Sequence, residues 1–286
     1  MLSSSGNDFF SAAPITQQEY DFISKTVYEH SRIKLGDNKK ELVMARLSKR
    51  LRKLGLKTYG EYCQFLKTPK GTEELGDLID AISTNHTFFF RESGHFDFLR
   101  DTVLPAFAPR DSASPKIHIW SAACSSGEEP YSIALLLADY YGLQGKAKWT
   151  IDCTDISTKV LKKAHDGIFS AERLEQVPHS MIDKYFQKGF GEWEGHFRAK
   201  EDLKSHLTFQ HLNLLGPRYP FKEPYDVIFC RNVMIYFDKK TQEELVNKFF
   251  PLIRPGGYLF IGHAESLTGT THQFTMVKPA IYQKPL

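Results

Sequence analysis

Two short apolar runs near the C-terminus restrict the possible folds of this chain more than any other feature. Val227 to Cys230 and Tyr258 to Ile261 contain no polar alternation, and a helical pattern from Asp238 to Leu252 separates them. Such runs are typical of parallel strands in a sheet that is covered on both faces. We therefore predict a doubly wound α/β sheet. Ligands of such sheets bind where the strands end, and Arg231 and Asn232 directly follow the first run.

Length and composition fit an enzyme of modest size. The chain has 286 residues, 41% of them hydrophobic, and its formal net charge of +3 is too small to indicate nucleic-acid binding on its own. No apolar run approaches a membrane span, and residues 1–13 lack the pattern of a signal peptide. We expect a flexible tail there and a cytoplasmic protein without membrane insertion. The four cysteines have no metal-binding spacing, so we expect reduced thiols and no metal.

The chain changes character near Phe88, and we predict two domains. Residues 14–87 carry helical patterns, with a capping box at Thr16 and Glu19 and a second helix that Asp37 caps. In residues 88–286 strand and helix patterns alternate, and Pro255 to Gly257 are expected to end the last helix. The predicted strands of this domain are 117–120, 149–153, 207–211, 227–230 and 258–261.

The loop after the first strand, residues 121–127, occupies the place of the glycine-rich phosphate loop in a dinucleotide-binding fold. Small residues replace all but one of the glycines, and Glu128 and Glu129 begin the next helix. Acidic residues there suit the helix dipole but repel phosphate. Helix capping explains one glutamate, whereas two favour a cationic or hydroxyl-bearing ligand. S-adenosylmethionine fits, since it has a sulfonium cation, a ribose and no phosphate.

Polar residues also follow the next two strands. Asp155 is placed to accept hydrogen bonds from ribose hydroxyls, but it or Ser157 could equally cap the following helix. Asn213 and Leu214 follow the third strand and suit an adenine edge, through an amide and an apolar contact. For Asn213 alone, a turn residue is the more common interpretation.

Three motifs resemble the bacterial chemotaxis receptor methyltransferases of the CheR family. They are Thr84 to Glu92 (TNHTFFFRE), Ser121 to Ser132 (SAACSSGEEPYS) and Cys230 to Asp238 (CRNVMIYFD). The resemblance implies a class I S-adenosylmethionine methyltransferase fold, which has a Rossmann-like, mostly parallel sheet, an N-terminal all-α domain and a small antiparallel β insert. It also implies cofactor contacts by Asn85, Thr87, Arg91, Glu129, Asp155, Asn213, Leu214, Arg231 and Asn232.

By the same resemblance, the methyl group passes to glutamate carboxylates on the cytoplasmic helices of chemoreceptors, and S-adenosylhomocysteine is the product. An unperturbed glutamate side chain has a pKa of about 4.3 and is already an anionic nucleophile at neutral pH, so alignment matters more than a general base. Arg91 is then expected to hold the acidic acceptor, and Tyr236 to orient it. Alternatively, Arg91 pairs with Glu92 or Asp97 and Tyr236 belongs to the core.

The second predicted helix carries a basic flank. At 100° per residue its cations fall within an arc of about 100°, opposite an apolar stripe. A basic run is usually only a solvated surface, but this one would attract an acidic helical partner such as a receptor methylation region. RNA would be attracted equally. The cations are Lys39, Arg46, Lys49, Arg50 and Lys53.

Residues 167–205 are longer than a crossover helix requires, and we expect a small antiparallel β-subdomain there. Gly189, Gly191 and Gly195 punctuate aromatic and β-type residues in a hairpin pattern. In the resembled family such an insert can bind the C-terminal tail peptide of a receptor by strand addition. The alternative is a surface flap.

Three functions compete at this point. Protein-glutamate O-methyltransferase is the leading hypothesis. A nucleic-acid methyltransferase is the second, although Arg231 to Met234 differ from the Asn-Pro-Pro-aromatic turn associated with methylation of base amino groups. The third is a non-catalytic module that binds S-adenosylmethionine for signalling.

Overall fold

The structure is a computed structural model that describes residues 14–83, 85–106, 116–144 and 148–286. The predicted tail at residues 1–13 lies outside the described residues. Backbone contacts divide the chain into two compact units, which separate between residues 84 and 85. The sequence analysis placed this boundary between residues 87 and 88.

The first unit is helical and has its own apolar core, which includes Ile23, Leu47 and Tyr62. The predicted capping box is present: the Thr16 N–H donates to Glu19 Oε2 (2.7 Å), and the Glu19 N–H donates to Thr16 Oγ1 (3.3 Å). The prediction for Asp37 is wrong, because Asp37–Lys39 form a 3₁₀ turn before the second helix. The helices described between residues 14 and 83 are α1 (Gln17–Ser31), α2 (Lys40–Leu54), α3 (Tyr59–Leu66) and α4 (Pro69–Ile82).

The second unit alternates strands and helices, and 3₁₀ turns connect several of them. It opens with α5 (Gly94–Phe98), a π-helical turn at Leu99–Val103 and α6 (Leu104–Ala106). The following elements, in chain order, are β1 (Lys116–Ala122), α7 (Glu128–Tyr141), β2 (Lys148–Asp155), α8 (Thr158–Asp166), β3 (Ile168–Ser170), α9 (His179–Tyr185), β4 (Phe186–Lys188), β5 (His196–Ala199), α10 (Glu201–Lys204), β6 (Leu207–His211), β7 (Tyr225–Cys230), α11 (Lys239–Phe249), β8 (Ile253–Ile261), β9 (Thr275–Lys278) and β10 (Ile281–Gln283).

Seven strands form the main sheet in the order β6-β2-β1-β7-β8-β10-β9. Neighbours from β6 through β8 are parallel, and β10 is antiparallel to β8 and β9. The order reverses at β1, which lies between β2 and β7. The predicted doubly wound, mostly parallel sheet is confirmed, and the reversal point, where ligands of such sheets bind, lies beside the paired residues Ala122 and Cys230.

The expectation that Pro255 to Gly257 end the last helix is wrong, since α11 ends at Phe249 and these residues lie inside β8. A Cβ at Gly257 would lie 2.7 Å from the carbonyl oxygen of Asp226, so the glycine lets β8 approach β7 closely. The register between the two strands shifts there, between Tyr225 and Val227. Glycines that end a helix and glycines that permit a close strand approach look alike in a sequence.

The sheet buries both faces, as the unbroken apolar runs predicted. On one face Phe229 stacks on Phe260 with ring centroids 4.5 Å apart, in a cluster that includes residues of α7. On the other face Trp120 and Ile228 pack with Phe249 of α11. The carboxyl ends of the strands are therefore held on a rigid frame.

The predicted insert is confirmed as a separate antiparallel sheet in the order β3-β5-β4. The hairpin of β4 and β5 turns tightly at Gly189, where a Cβ would lie 2.3 Å from the carbonyl oxygen of Trp193. Central strand β5 pairs with both neighbours, so it holds the subdomain together.

All four cysteines of the chain, Cys63, Cys124, Cys153 and Cys230, are buried free thiols. Burial raises the pKa of the Cys63 thiol to about 11 and the pKa values of the other three well above the usual value. Within the described part of the chain, no helix is both long and apolar enough to span a bilayer.

Candidate active site

The loop between β1 and α7 turns through unusual backbone conformations. Ala123, Ser125 and Gly127 all have positive φ, with 104° at Gly127. A Cβ at Gly127 would lie 3.1 Å from Cα of Ala164, so both space and backbone conformation favour glycine there. The Cys124 N–H donates to the carbonyl oxygen of Thr154 (2.8 Å), which ties the loop to the end of β2.

Asp155, at the end of β2, is a buried anchor for this loop. Its Oδ2 accepts from the Ser125 N–H (2.9 Å), and its Oδ1 accepts from the Ser157 N–H (2.9 Å). Ser157, not Asp155, caps α8 by accepting from the Val160 N–H. Ser125 Oγ is buried without a hydrogen-bond partner in the described residues. Asp155 therefore holds the Ser125 loop at the end of β2, and the Ser125 hydroxyl is suited to a polar ligand.

Arg231 lies between two carboxylates at the end of β7. Its Nη1 donates to Glu129 Oε2 (3.1 Å) and its Nη2 to Glu92 Oε2 (2.9 Å), while its side chain is only 2% exposed. Nη2 also donates to the carbonyl oxygen of Arg91. Ser121 Oγ donates to Glu129 Oε1 (2.7 Å). The guanidinium thus organises the acidic groups and leaves little positive charge toward a ligand.

The two carboxylates have opposite pKa shifts. For Glu92, burial opposes ionisation, but Arg231 together with donors from Asn232 and His263 lowers the pKa below its usual value. For Glu129, desolvation prevails over the attraction of Arg231 and raises the pKa. Burial likewise raises the pKa of Glu128, whose Oε1 pairs with Arg173 Nη1 at 3.2 Å.

Asn232 lies beside this cluster in a left-handed conformation, with φ of 59°. Its Nδ2 donates to Glu92 Oε1 (3.1 Å), and its N–H donates to Glu265 Oε2 (3.0 Å). Tyr236 follows in the 3₁₀ turn Met234–Tyr236 and is half-buried. Glu129, Arg231 and Asn232 are therefore brought together by direct or shared contacts.

The segment before α5 contributes three predicted residues. Arg91 is half-buried, donates to the carbonyl oxygen of His86 (2.8 Å), and lies 5.7 Å over the Phe88 ring. The alternative partners considered for it, Glu92 and Asp97, pair instead with Arg231 and Arg100.

Thr87 is buried in the same segment, and its carbonyl oxygen accepts from Arg173 Nη1 (2.8 Å). Asn85 is half-buried at the start of the unit. Asn85, Thr87 and Arg91 thus lie on one continuous segment, which leads directly to Glu92 and its ion pair with Arg231.

The residues after β6 form a turn. Asn213 Oδ1 accepts from the Leu215 N–H (2.9 Å), which is the turn role considered for this residue from the sequence. Leu214 is buried in the cluster that includes Trp120. The Leu212 N–H donates to the carbonyl oxygen of Asp155 (3.0 Å), so this turn adjoins the end of β2.

Sequence reasoning missed the site contacts of Glu92, Arg173 and Glu265. Glu92 belongs to the first motif, but its partners lie 139 and 140 positions away. Arg173 comes from the insert, and Glu265 comes from the turn after β8. The polar residues after the apolar run at Ile261 were the available signal for Glu265, by the same strand-end argument that identified Arg231.

Comparisons with known proteins decide the family. Residues 85–282 match the family model described as CheR methyltransferase, SAM binding domain, and residues 18–83 match CheR methyltransferase, all-alpha domain. The chain belongs to the CheR methyltransferase family.

Similar curated proteins are named chemotaxis protein methyltransferases. The Borreliella burgdorferi protein is 42% identical over 99% of this chain and 100% of its own length. The Escherichia coli protein is 41% identical over 91% of this chain and 88% of its own. This CheR family member is an S-adenosylmethionine-dependent methyltransferase of chemotaxis, as predicted, and these relatives do not favour the nucleic-acid alternative.

The side chains at the strand ends of this CheR family member are compatible with S-adenosylmethionine. Its acidic side chains Glu129 and Asp155 suit a sulfonium and ribose hydroxyls, while Arg231 is already paired with carboxylates. Ser125 Oγ offers a buried hydroxyl that lacks a partner among the described residues. When bound, the cofactor supplies an electrophilic methyl group.

The predicted docking flank of α2 needs a correction at Arg50. Arg50 is buried and pairs with Glu74 and with Asp77 (2.6 Å), so it belongs to the core of the helical unit. A helical wheel at 100° per residue placed Arg50 on the basic flank, but α4 covers this side of α2. Arg46 is half-buried and donates to the carbonyl oxygens of Ile82 and Ser83. Lys49 and Lys53 remain exposed.

The β-subdomain carries an open groove of ~420 Å³. Phe190 and Trp193 line it and are 78% and 54% exposed. Edge strand β4 contributes Gln187 and Lys188, and His196 and Arg198 come from β5. Exposed aromatic side chains beside a strand edge suit an extended peptide.

Glu92, His95 and His263 bring potential metal-ligand atoms within 4.8 Å of one another. His95 is buried, and burial together with Arg231 lowers its pKa to about 3. The same guanidinium already binds Glu92, so its positive charge opposes a second cation at this point.

Proposed function

We propose that this chain transfers the methyl group of S-adenosylmethionine to glutamate side-chain carboxylates on the cytoplasmic helices of chemoreceptors. The products are a glutamate methyl ester and S-adenosylhomocysteine. The proposal implies a cytoplasmic enzyme, since the acceptor helices are cytoplasmic. It also implies that methyl transfer needs no metal, because the acceptor is already an anion and arginines supply the local positive charge.

One observation carries the choice of acceptor. Arg231 is enclosed between Glu92 and Glu129, whereas the contacts described for Arg91 are to a carbonyl oxygen and an aromatic ring. Arg91 therefore retains charge for an incoming carboxylate. Charge-assisted hydrogen bonds are worth about 1.5 to 3 kcal/mol, and orientation of the acceptor oxygen toward the methyl group contributes further. We assign Tyr236 to the orientation of the acceptor.

The cofactor is assigned to the crevice at the strand ends. We assign Asp155 and Glu129 to its hydroxyl and charged groups, and Arg231 and Asn232 to further contacts with the cofactor. Asn213 and Leu214 are assigned to adenine, and Asn85, Thr87 and Arg91 to the segment that closes over the crevice. The support is the adjacency of the ends of β1, β2, β6 and β7 in one sheet.

The test uses the purified enzyme, radiolabelled S-adenosylmethionine and receptor-bearing membranes, followed by mild alkali. A glutamate methyl ester releases volatile methanol, whereas methylated nucleic acid does not. Arg91→Ala should lower kcat/KM about 10- to 100-fold. Arg100→Ala, at an exposed arginine that pairs with Asp97 and Asp101, is the matched control. Methylation without alkali-labile label would contradict the proposed acceptor.

We also propose that the groove of the β-subdomain binds a C-terminal receptor peptide by strand addition along β4. Phe190→Ala with Trp193→Ala should abolish saturable binding of such peptides, because these exposed rings form the groove wall. Affinity for S-adenosylhomocysteine should stay unchanged. Tyr140→Ala is the control, since Tyr140 is an exposed aromatic on α7 outside the groove. Peptide binding that survives the double substitution would reduce the insert to a surface flap.

A further inference from the structure

The loop after β7, Arg231 to Tyr236, is held by a carboxylate from the turn after β8. Glu265 Oε2 accepts from the N–H groups of Asn232 (3.0 Å) and Gly262 (2.5 Å). Its Oε1 accepts from the Ile235 N–H (3.2 Å). One side chain thus binds backbone donors from both strand-exit turns.

The backbone geometry of this loop directs the N–H groups of Asn232 and Ile235 toward the Glu265 carboxylate. Asn232 has left-handed φ, and the loop then reverses into the 3₁₀ turn of Tyr236, so neighbouring N–H groups converge on one point instead of bonding to the next strand. Converging backbone N–H groups form a concave anion site, and here Glu265 fills it from within the chain.

The two turns are also too close for any side chain at Gly262. A Cβ there would lie 2.4 Å from Asn232 Nδ2 and 2.9 Å from Glu265 Oε2. Movement of the β8 turn must therefore move Asn232, whose Nδ2 also reaches Glu92.

We propose that Glu265 is a positioning residue for methyl transfer. By holding the Arg231 to Tyr236 loop, it sets Asn232 toward the cofactor and Tyr236 toward the acceptor. The inference rests on the proposed function, because it uses the roles assigned there to Asn232 and Tyr236.

Glu265→Gln tests the role with almost no change of shape. A glutamine has one acceptor oxygen in place of two, so at least one of the three N–H groups faces an amide donor. We expect the Kd for S-adenosylhomocysteine to rise about tenfold and kcat to fall by a similar factor, as for the loss of one buried hydrogen bond. Glu244→Gln, at an exposed glutamate of α11, should change neither.

Calorimetry separates positioning from stability. A merely structural role would lower Tm and the number of binding sites per chain but leave the Kd and the kcat per site unchanged. That result would overturn the inference. If Glu265→Gln does not yield folded protein, Gly262→Ala decides, since it displaces Asn232 while Glu265 remains. Normal Kd and kcat in that variant would likewise contradict the proposal.

Asn232→Gly distinguishes this inference from the proposed function on which it rests. Glycine keeps the positive φ and removes only the amide. Normal cofactor affinity in Asn232→Gly would contradict both the proposed contact and the positioning role. Weak affinity in Asn232→Gly together with normal affinity in Glu265→Gln would contradict the positioning role alone.

Discussion

Arg231 favours the ionised form of both Glu92 and Glu129, yet the pKa values of the two glutamates shift in opposite directions. Glu92 receives further hydrogen bonds from Asn232 Nδ2 and the His263 N–H, which stabilise its charged form. Glu129 receives one from Ser121, and desolvation outweighs the stabilising contacts. These contacts lower the pKa of Glu92, whereas burial raises that of Glu129, and a cationic ligand beside Glu129 would favour its ionised form.

Glu129→Gln should weaken S-adenosylmethionine binding about tenfold. The substitution keeps the shape but removes a charge next to the expected sulfonium or ribose, and hydrogen bonds to charged groups are worth about 1.5 to 3 kcal/mol. Calorimetric titration measures the effect. Glu175→Gln, at an exposed position of the insert, is the control. Equal affinity in wild type and Glu129→Gln would remove this residue from the cofactor site.

Glu92 predicts a pH dependence of stability. Its pKa is lower in the folded state than in the unfolded chain, so the folded state binds fewer protons and the carboxylate stabilises the fold above the unfolded pKa. At pH 7 Glu92→Gln should lower the free energy of unfolding by about 1.5 to 3 kcal/mol. This difference should shrink as the pH falls below about 4.3 and through the lower folded pKa.

Urea unfolding of both proteins between pH 7 and pH 3 measures the difference. The exposed-site variant Glu244→Gln should follow wild type throughout. A gap between Glu92→Gln and wild type that stays constant down to pH 3 would show that the ionised carboxylate is not its source.

At the residue scale, sequence reasoning found side chains at strand ends but not what they bind. Asp155 was left between a ligand contact and a helix cap, and the structure adds a third role as anchor of the Ser125 loop. Arg50 was assigned to the surface because a helical wheel contains no information about the neighbouring helix. Glu265 forms contacts across 30 and 33 positions, and no local pattern predicts such pairs.

The basic residues of α2 fall into two groups, because Arg50 is buried in an ion pair whereas Lys49 and Lys53 are exposed. Lys49→Glu with Lys53→Glu should slow receptor methylation severalfold at low salt, because these exposed cations are suited to attract an acidic helix. The difference should fade with added salt, since screening shortens to about 8 Å at physiological ionic strength. Affinity for S-adenosylhomocysteine should not change.

The matched control for this pair is Lys25→Glu with Lys240→Glu, which makes the same change in net charge at exposed positions on α1 and α11. Equal slowing in both double variants would show a general charge effect. Docking at α2 predicts that the enzyme with Lys49→Glu and Lys53→Glu methylates receptors more slowly than the control variant.

At the element scale, the parallel type of the sheet was predictable because buried strands such as β7 and the end of β8 have unbroken apolar runs. Predicted β6 matches the structure at Leu207–His211, whereas β7 extends two residues earlier, to Tyr225. The antiparallel end of the sheet was not foreseen: β9 is exposed along its length and has no apolar run. The prediction for Pro255 to Gly257 failed because glycine also permits two strands to approach closely, and the sequence does not distinguish this from a helix end.

Each unit has its own buried core, and the three tryptophans of the chain, Trp120, Trp149 and Trp193, all lie in the second unit. Tryptophan fluorescence therefore reports that unit, while far-UV circular dichroism reports both. Arg50→Ala removes one partner of a buried ion pair and leaves Glu74 buried, which costs about 3 to 5 kcal/mol.

We expect Arg50→Ala to shift part of the dichroism transition to lower urea. The fluorescence transition and the affinity for S-adenosylhomocysteine should stay where they are in wild type. Lys49→Ala, one position earlier and exposed, should move neither signal. Coincident shifts of both signals in Arg50→Ala would show that the units unfold together.

The burial of all four thiols offers a practical route to these measurements. Since the thiolate is the nucleophile and each thiol has a raised pKa and a buried sulfur, maleimide reagents at neutral pH should leave the native cysteines unmodified. Lys53→Cys would then carry a single fluorophore or spin label without prior removal of native cysteines. The enzyme can thus be tagged at the helix proposed to meet the receptor and followed during turnover, one chain at a time.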